Sequence, residues 1–178
     1  MMNQRLLEKW NVDESWTLFL DRDGVINQET FENYITSPAK FIFLEDVLVA
    51  LKSLSSTFNR VIIVTNQQGV GKGLMSENDL NTVNSFMIEE VEKVGARIDA
   101  VYCATELRGT VNGLRKPARG LADLAKSDYP ELNYEKSIMV GNSESDIVFG
   151  KNLGMKNVFI GESQAHDALL TYPSLFKF

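Results

Sequence analysis

The stretch Leu18-Phe19-Leu20-Asp21-Arg22-Asp23-Gly24-Val25 carries the reading of the whole chain. The run from Thr17 to Leu20 has the composition of a strand buried on both faces. It stops abruptly at two carboxylates separated by one residue, followed by a glycine suited to a sharp turn. In an open parallel sheet, ligands bind beyond the carboxyl ends of the strands. Two acids held together there are costly unless something cationic sits between them. The plain alternative is a strand that runs into an acidic surface turn.

Three further segments weigh against that alternative. Val61-Ile62-Ile63-Val64 is a second buried strand, ending in Thr65-Asn66-Gln67. Arg115-Lys116-Pro117 sits in a loop before a helical stretch. Ile138-Met139-Val140 is another apolar strand, ending in Gly141-Asn142-Ser143-Glu144-Ser145-Asp146. These loops supply a carboxylate pair, a hydroxyl, a lysine and a further polar cluster, in that order.

In residue type and order, the four segments resemble the four motifs of the haloacid dehalogenase-like phosphatases, across roughly residues 16 to 160. More narrowly, Asp21-Arg22-Asp23-Gly24-Val25-Ile26-Asn27, Thr65-Asn66-Gln67 and Arg115-Lys116-Pro117 are similar to the histidinol-phosphate and heptose-bisphosphate phosphatase branch. The alternation of strands and helices independently implies an α/β fold, a parallel sheet with helices on both faces. The resemblance adds a three-layer Rossmann-like sheet of order 3-2-1-4-5, with the Asp21 strand in the middle. The excursion from Ile26 to Phe43 is too short for a separate cap and corresponds to the flap of that family, so an essentially capless enzyme is implied.

The chain of 178 residues fits a single domain spanning 1–178, with a short N-terminal extension over 1–15. Strands are expected at 16–21, 60–65, 98–103, 137–141 and 157–160. Phe41-Ile42-Phe43-Leu44 reads as a short strand or extended packing segment, and residues 3–10 as a short helix docking through Leu6, Leu7 and Trp10. From Glu45 the spacing of Val47, Leu48, Leu51 and Leu54 predicts a helix. Another follows Ser76, whose Ser76-Glu77-Asn78-Asp79 start resembles a capping box with Asp in place of Glu. Further helices follow Gly120 and run from Ser145 to Asn152.

A net charge of −6 argues against nucleic acid held mainly through phosphate neutralisation. Cys103 is the only cysteine, so no internal disulfide forms and a reducing compartment is the default. No apolar run approaches a membrane span, and Met1 to Ser15 lacks the hydrophobic stretch of a signal peptide. A cytoplasmic protein with no membrane partner is the simplest reading. The oligomeric state is not legible.

Phosphate ester hydrolysis needs a nucleophile, a proton donor for the leaving oxygen and positive charge around the phosphoryl group. Asp21 fits the nucleophile, since a carboxylate is ionised at neutral pH and can form an acyl phosphate. Asp23 fits the general acid. The resemblance implies Mg2+ held by the Asp21 carboxylate and the Asp23 backbone carbonyl, with a small-molecule phosphate ester as partner. It gives Thr65 and the Asn66 amide the phosphate oxygens, and Lys116 the phosphoryl charge. Arg115 carries a fork suited to a second phosphate.

The fourth motif departs from the pattern, because Asn142 stands where the family has Asp. An Asn oxygen can ligate Mg2+ but brings no charge. Glu144 or Asp146 is then a candidate to compensate, Asp146 otherwise holding Lys116 or a metal-bound water. Zinc is not expected. Some relatives carry a Cys-x-His…Cys-x-Cys loop, whereas here Cys103 is followed by Thr105 at the histidine position and one thiolate cannot build a four-ligand site. Cys103 reads as a small residue at a strand end, and His166 as a surface histidine. Gly69-Val70-Gly71-Lys72-Gly73 fails the nucleotide-loop pattern twice and reads as a turn beside the site, within reach of substrate through Lys72.

The leading expectation is a Mg2+-dependent phosphomonoesterase working through an aspartyl phosphate on D-glycero-D-manno-heptose 1,7-bisphosphate. Histidinol phosphate, the 3′-phosphate end of a polynucleotide, and a non-catalytic phosphate-binding role are the alternatives.

Overall fold

Alternate side chains of the central strand point into two separate apolar cores. The computed structural model describes residues 8–30, 34–111, 113–161 and 170–178. Strand β1 (Thr17–Leu20) is buried along its whole length. Leu18 and Leu20 join Val61, Ile63, Ile138 and Val140 in one core, while Phe19 joins Ile62, Val64 and Met139 in the other. Period-2 alternation of apolar residues therefore yields two buried faces rather than one buried and one wet.

The sheet is six-stranded and parallel, in the order β3-β2-β1-β4-β5-β6, with β2 at Arg60–Asn66, β3 at Ala100–Ala104, β4 at Ser137–Gly141, β5 at Lys156–Ile160 and β6 at Leu170–Tyr172. The expected order is found, with β6 added at one edge. Three residues followed by a turn gave that strand no readable pattern. Helices α1 (Val47–Thr57) and α2 (Glu77–Lys93) pack on the first core through Leu51, Leu54, Val83, Met87 and Val91. Helices α3 (Gly120–Asp128) and α4 (Glu144–Asn152) close the second through Leu121, Ala122, Ala125 and Phe149.

The Ser76 capping box is present. Asp79 N–H donates to Ser76 Oγ at 3.1 Å, and Asp79 Oδ2 accepts from Ser76 N–H at 2.8 Å. Phe41 to Leu44 forms no strand. Phe43 makes one antiparallel bridge to Asn27, and Phe41 stacks edge-on against Phe43 (4.9 Å) and Phe86 (6.0 Å). Aromatic packing, not strand pairing, fixes this segment. Helix α1 begins at Val47 rather than Glu45, after Asp46 adopts a left-handed conformation (φ 57°). Of the proposed N-terminal helix, residues 8–10 are helical. Leu6, Leu7 and His166 lie outside the described residues.

Register sets the position of the site. Leu20 pairs with Ile63 on one side and Val140 on the other, and the Asp21 N–H continues the ladder to the Val140 carbonyl at 2.9 Å. The carboxyl ends of β1, β2 and β4 thus finish level, which brings Asp21, Thr65 and Asn142 to one edge.

Candidate active site

A cavity of about 230 Å³ opens at that edge, lined by Asp21, Asp23, Thr65, Asn66, Arg115, Lys116, Asn142 and Asp146. The structure brings these eight candidates from the sequence to one place, while Lys72 and Glu144 do not line the cavity. Glu29, Thr30, Tyr34 and Ile35 of the flap form the opposite wall, a contribution the sequence did not assign. A second cavity of about 620 Å³ adjoins, shares Arg115 and Lys116, and adds Arg108.

Lys116 is the electrostatic centre. Its ammonium is buried and donates to Asp21 Oδ1 at 2.8 Å and to Asp146 Oδ1 at 2.5 Å. Burial works against that charge, but the two carboxylates outweigh it and raise the Lys116 pKa. Burial also pushes the Asp21 carboxyl up to about 7; Lys116 opposes the rise, while Asp146 and Asp23 add to it. No described residue donates to Asp21 Oδ2, so one oxygen of this carboxylate faces the cavity uncommitted.

Asp146 has no such freedom. Its Oδ2 accepts from Ser143 N–H at 3.0 Å and Ser143 Oγ–H at 2.6 Å, closing a capping box at the start of α4, while Oδ1 takes Lys116. With both oxygens spent, Asp146 holds Lys116 and caps the helix at once. A Cβ on Gly141 would lie 2.2 Å from Asp146 Cβ, so the glycine gives this carboxylate its room.

Asp23 is gripped from three sides. Arg22 Nη2 reaches both its oxygens at 3.1 Å, Asn27 Nδ2 donates at 2.8 Å and Gln67 Nε2 at 2.6 Å. Arg22 is wholly buried, its other arm on Asn84 Oδ1 at 3.1 Å and its plane near the Phe41 ring at 5.9 Å. Arg22, Asn27 and Gln67 were not singled out from the sequence. The signal was there for Arg22, because a cation wedged between two acids at a strand end has carboxylate partners on hand.

Asn66 lines the cavity and also holds the lysine loop. Its side chain pairs with the backbone of Lys116 in both directions, Oδ1 accepting from the Lys116 N–H at 2.9 Å and Nδ2 donating to its carbonyl at 3.2 Å. That side-chain amide is a clamp on the lysine loop. Glu106 holds the same loop by accepting the Arg115 N–H at 2.6 Å, and the Lys116–Pro117 peptide is cis. Arg115 Nη1 is buried with no partner among the described residues, an unsatisfied donor at the cavity wall. Lys72 lies over the Tyr34 ring at 5.6 Å and does not line the cavity. Cys103 Sγ accepts from Asn84 Nδ2 at 3.4 Å, and burial raises the pKa of the thiol.

Asn142 Nδ2 donates to Glu29 Oε2 at 3.0 Å, so its charged neighbour is a flap residue and not Glu144 or Asp146. Gly24 has φ 83°, and a Cβ there would lie 2.0 Å from Asn142 Nδ2. Only glycine permits both the left-handed turn and this close approach. Among the described residues no group of three His, Cys, Asp or Glu side chains is arranged around a metal position. A cation here would rest on one carboxylate, a backbone carbonyl and an amide oxygen. That is a hard-oxygen set, and it suits Mg2+, which keeps several of its waters.

The charge balance agrees with a divalent cation. Four carboxylates (Asp21, Asp23, Glu29 and Asp146) and two cationic side chains (Arg115 and Lys116) line the cavity, and the buried Arg22 guanidinium pairs with Asp23, which leaves one negative charge in excess. A phosphate dianion would meet net repulsion there unless another cation came with it.

The comparisons fit this geometry. Residues 18–162 match the model of a family described as polynucleotide kinase 3 phosphatase. The chain is 36% identical over 138 residues to a D-glycero-alpha-D-manno-heptose-1,7-bisphosphate 7-phosphatase of Mycobacterium tuberculosis, covering 78% of this chain and 73% of the relative. It is 34% identical over 145 residues to the beta-anomer 7-phosphatase of Rhodopseudomonas palustris, covering 77% and 78%. In fold it matches the D,D-heptose 1,7-bisphosphate phosphatase of B. bronchiseptica, solved with magnesium and phosphate, at a TM-score of 0.82 and 23% identity over 90% of this chain and 94% of that one. The chain belongs to the polynucleotide kinase 3 phosphatase family, within the haloacid dehalogenase-like phosphatases.

Proposed function

We infer that this chain is a Mg2+-dependent phosphomonoesterase that removes one phosphate from a sugar bisphosphate, with D-glycero-D-manno-heptose 1,7-bisphosphate as the best-supported substrate. The carrying observation is the uncommitted Asp21 oxygen beside a buried lysine, in a cavity also lined by Arg115, whose Nη1 has no partner among the described residues, and adjoined by a second cavity that adds Arg108. One phosphate would sit at Asp21 and a second anionic group would satisfy Arg115. The names of the relatives point the same way.

In this reading Asp21 Oδ2 attacks phosphorus and the leaving oxygen takes a proton from Asp23. Water, deprotonated by Asp23, then hydrolyses the aspartyl phosphate. Lys116 and Thr65 bind phosphoryl oxygens, Asn66 and Asp146 hold Lys116 in place, and Arg115 takes the distal group. Asp21, Asp23 and Asn142 would hold Mg2+, which when bound supplies the positive charge that the transferring phosphoryl group needs. The single free thiol fits a cytoplasmic site of action. Among the described residues no helix is long and apolar enough to cross a membrane.

The family description also favours a 3′-phosphorylated polynucleotide as a second reading. A screen over heptose bisphosphate, histidinol phosphate and 3′-phosphorylated oligonucleotides with Mg2+ separates these. Preferential turnover of the oligonucleotide, weakening steeply with salt, would replace the sugar by nucleic acid.

Two expected results test the roles. Asp23→Asn should slow turnover about 10²-fold or more with alkyl phosphates and much less with aryl phosphates, whose leaving groups need no proton. An equal loss across both series in steady-state kinetics would remove the acid role. Asn142→Asp should lower the Mg2+ midpoint, read by protein fluorescence, since a charge is added beside the cation. Coulomb attraction of ~4 kcal/mol at 4 Å in an effective dielectric near 20 is the upper guide. Glu29 stands 3.0 Å from the substituted nitrogen, so Asn142→Asp with Glu29→Gln, which takes away a neighbouring negative charge, should bind less tightly than Asn142→Asp alone. An unchanged midpoint in both variants would mean that position 142 does not face the metal.

A further inference from the structure

We propose that Gln67 is a positioning residue that aims the Thr65 hydroxyl at the phosphate and ties it to the general acid. The proposal rests on the phosphatase reading above. Gln67 is buried, and its backbone is pinned by its own N–H to the Ala104 carbonyl (2.7 Å) and by its carbonyl to the Val70 N–H (3.3 Å). Its side-chain nitrogen donates to Asp23 Oδ2 at 2.6 Å and to Thr65 Oγ1 at 2.9 Å. An amide nitrogen has two protons, and these two bonds use both. The nitrogen of Gln67, not its oxygen, thus faces Asp23.

The consequence falls on Thr65. A free hydroxyl rotates and can spend its proton on any nearby acceptor. Here Oγ1 already accepts from Gln67, and no other described group takes its proton. Thr65 is buried yet lines the cavity, so the O–H points where phosphoryl oxygens would bind. A preset donor needs no reorganisation when the phosphate arrives. Asp23 is held by the same amide, so donor and acid keep a fixed separation of two hydrogen bonds.

Two substitutions separate this role from simple packing. Gln67→Met keeps the volume and removes both donors; Thr65 regains its rotation, and phosphate affinity should fall about fivefold to tenfold. Gln67→Glu keeps the shape but offers Thr65 an acceptor, which draws the hydroxyl proton away from the cavity. Phosphate affinity should then fall about 10²-fold, to the level of Thr65→Val. Inorganic phosphate with Mg2+ is the probe, by calorimetry and as a competitive inhibitor, with circular dichroism and thermal melting as the check on folding. Adding Gln67→Met to Thr65→Val should cost no further phosphate affinity, since the hydroxyl it aims is gone. Gln67→Glu binding phosphate within about twofold of the parent, or additive losses in the double variant, would overturn the positioning role and leave the phosphatase reading standing. A parent protein that fails to bind phosphate at all would overturn both.

Discussion

Asp21→Asn should give a folded protein without turnover. The carboxylate is the group that must form a bond to phosphorus, and a neutral amide lacks both its charge and its nucleophilicity. Removing a nucleophile costs about 10⁴-fold or more in enzymes where it has been removed. The variant should nevertheless melt no lower than the parent. Asn is the same size, and its oxygen can still accept from Lys116, now 2.8 Å from Asp21 Oδ1. It also escapes the cost of burying a charge. That cost is what pushes the Asp21 carboxyl from 3.8 to about 7. The sign follows directly. A folded-state pKa above the unfolded one means that the folded protein holds the proton more tightly. The stability this provides is complete below about pH 4 and is lost as the pH rises through about 7. In metal-free protein, the Asp21→Asn variant should therefore gain on the parent over that window, by an amount bounded by ~1.4 kcal/mol per pKa unit. Mg2+ should narrow the gap, because it binds the ionised form. Paired melting curves at pH 4, 6 and 8, with and without Mg2+, together with aryl phosphate turnover, make the test. Turnover above about one percent of the parent would remove Asp21 as nucleophile.

How far the sequence could carry this site follows from the kind of contact involved. Asp21, Thr65 and Asn142 were legible because each lies at or beside a strand end, and a parallel sheet aligns its strand ends. The buried alternation of Leu18, Phe19 and Leu20 announced the central strand for the same reason. Lys116 lies in the loop before α3 and was legible through the order of the motifs. The grip on Asp23 was not legible, because Arg22, Asn27 and Gln67 reach it through side-chain geometry that no periodicity encodes. The sequence also offered two uses for Asp146, metal or lysine, and only its hydrogen bonds choose the lysine. Asn66 has a further contact that the sequence did not announce. Its place beside the motif threonine suggested phosphate, but an amide can also mimic a peptide group, and the nearby Lys116 backbone takes up both of its polar ends. Strand β6 and the Asn142–Glu29 contact depend on segments distant in the chain, whose approach only the folded tertiary structure reveals.

Lys116→Met should be the most damaging single change for stability and for catalysis together. Methionine fills the space of the lysine stem but leaves Asp21 and Asp146 buried without their shared cation. Removing one partner from a buried ion pair typically costs about 3–5 kcal/mol, because the remaining charge is uncompensated. For a chain of this size that corresponds to a fall in melting temperature of roughly 6–20 °C. Turnover should be lost as well, since neither the phosphoryl oxygens nor the Asp21 carboxylate would have a cation. Lys116→Arg should not rescue it. The ammonium makes short contacts to two carboxylates in a buried pocket, and a planar guanidinium has neither that shape nor that reach. The distinguishing experiment adds Asp146→Asn to Lys116→Met. This removes one of the two stranded charges and keeps an oxygen for the Ser143 cap, so part of the melting temperature should return. Turnover should not, because the phosphoryl site still lacks its cation. Acid should act in the same direction, restoring stability to Lys116→Met as the stranded carboxylates take up protons. A double variant no more stable than Lys116→Met would show that the lysine holds the site by packing rather than by charge.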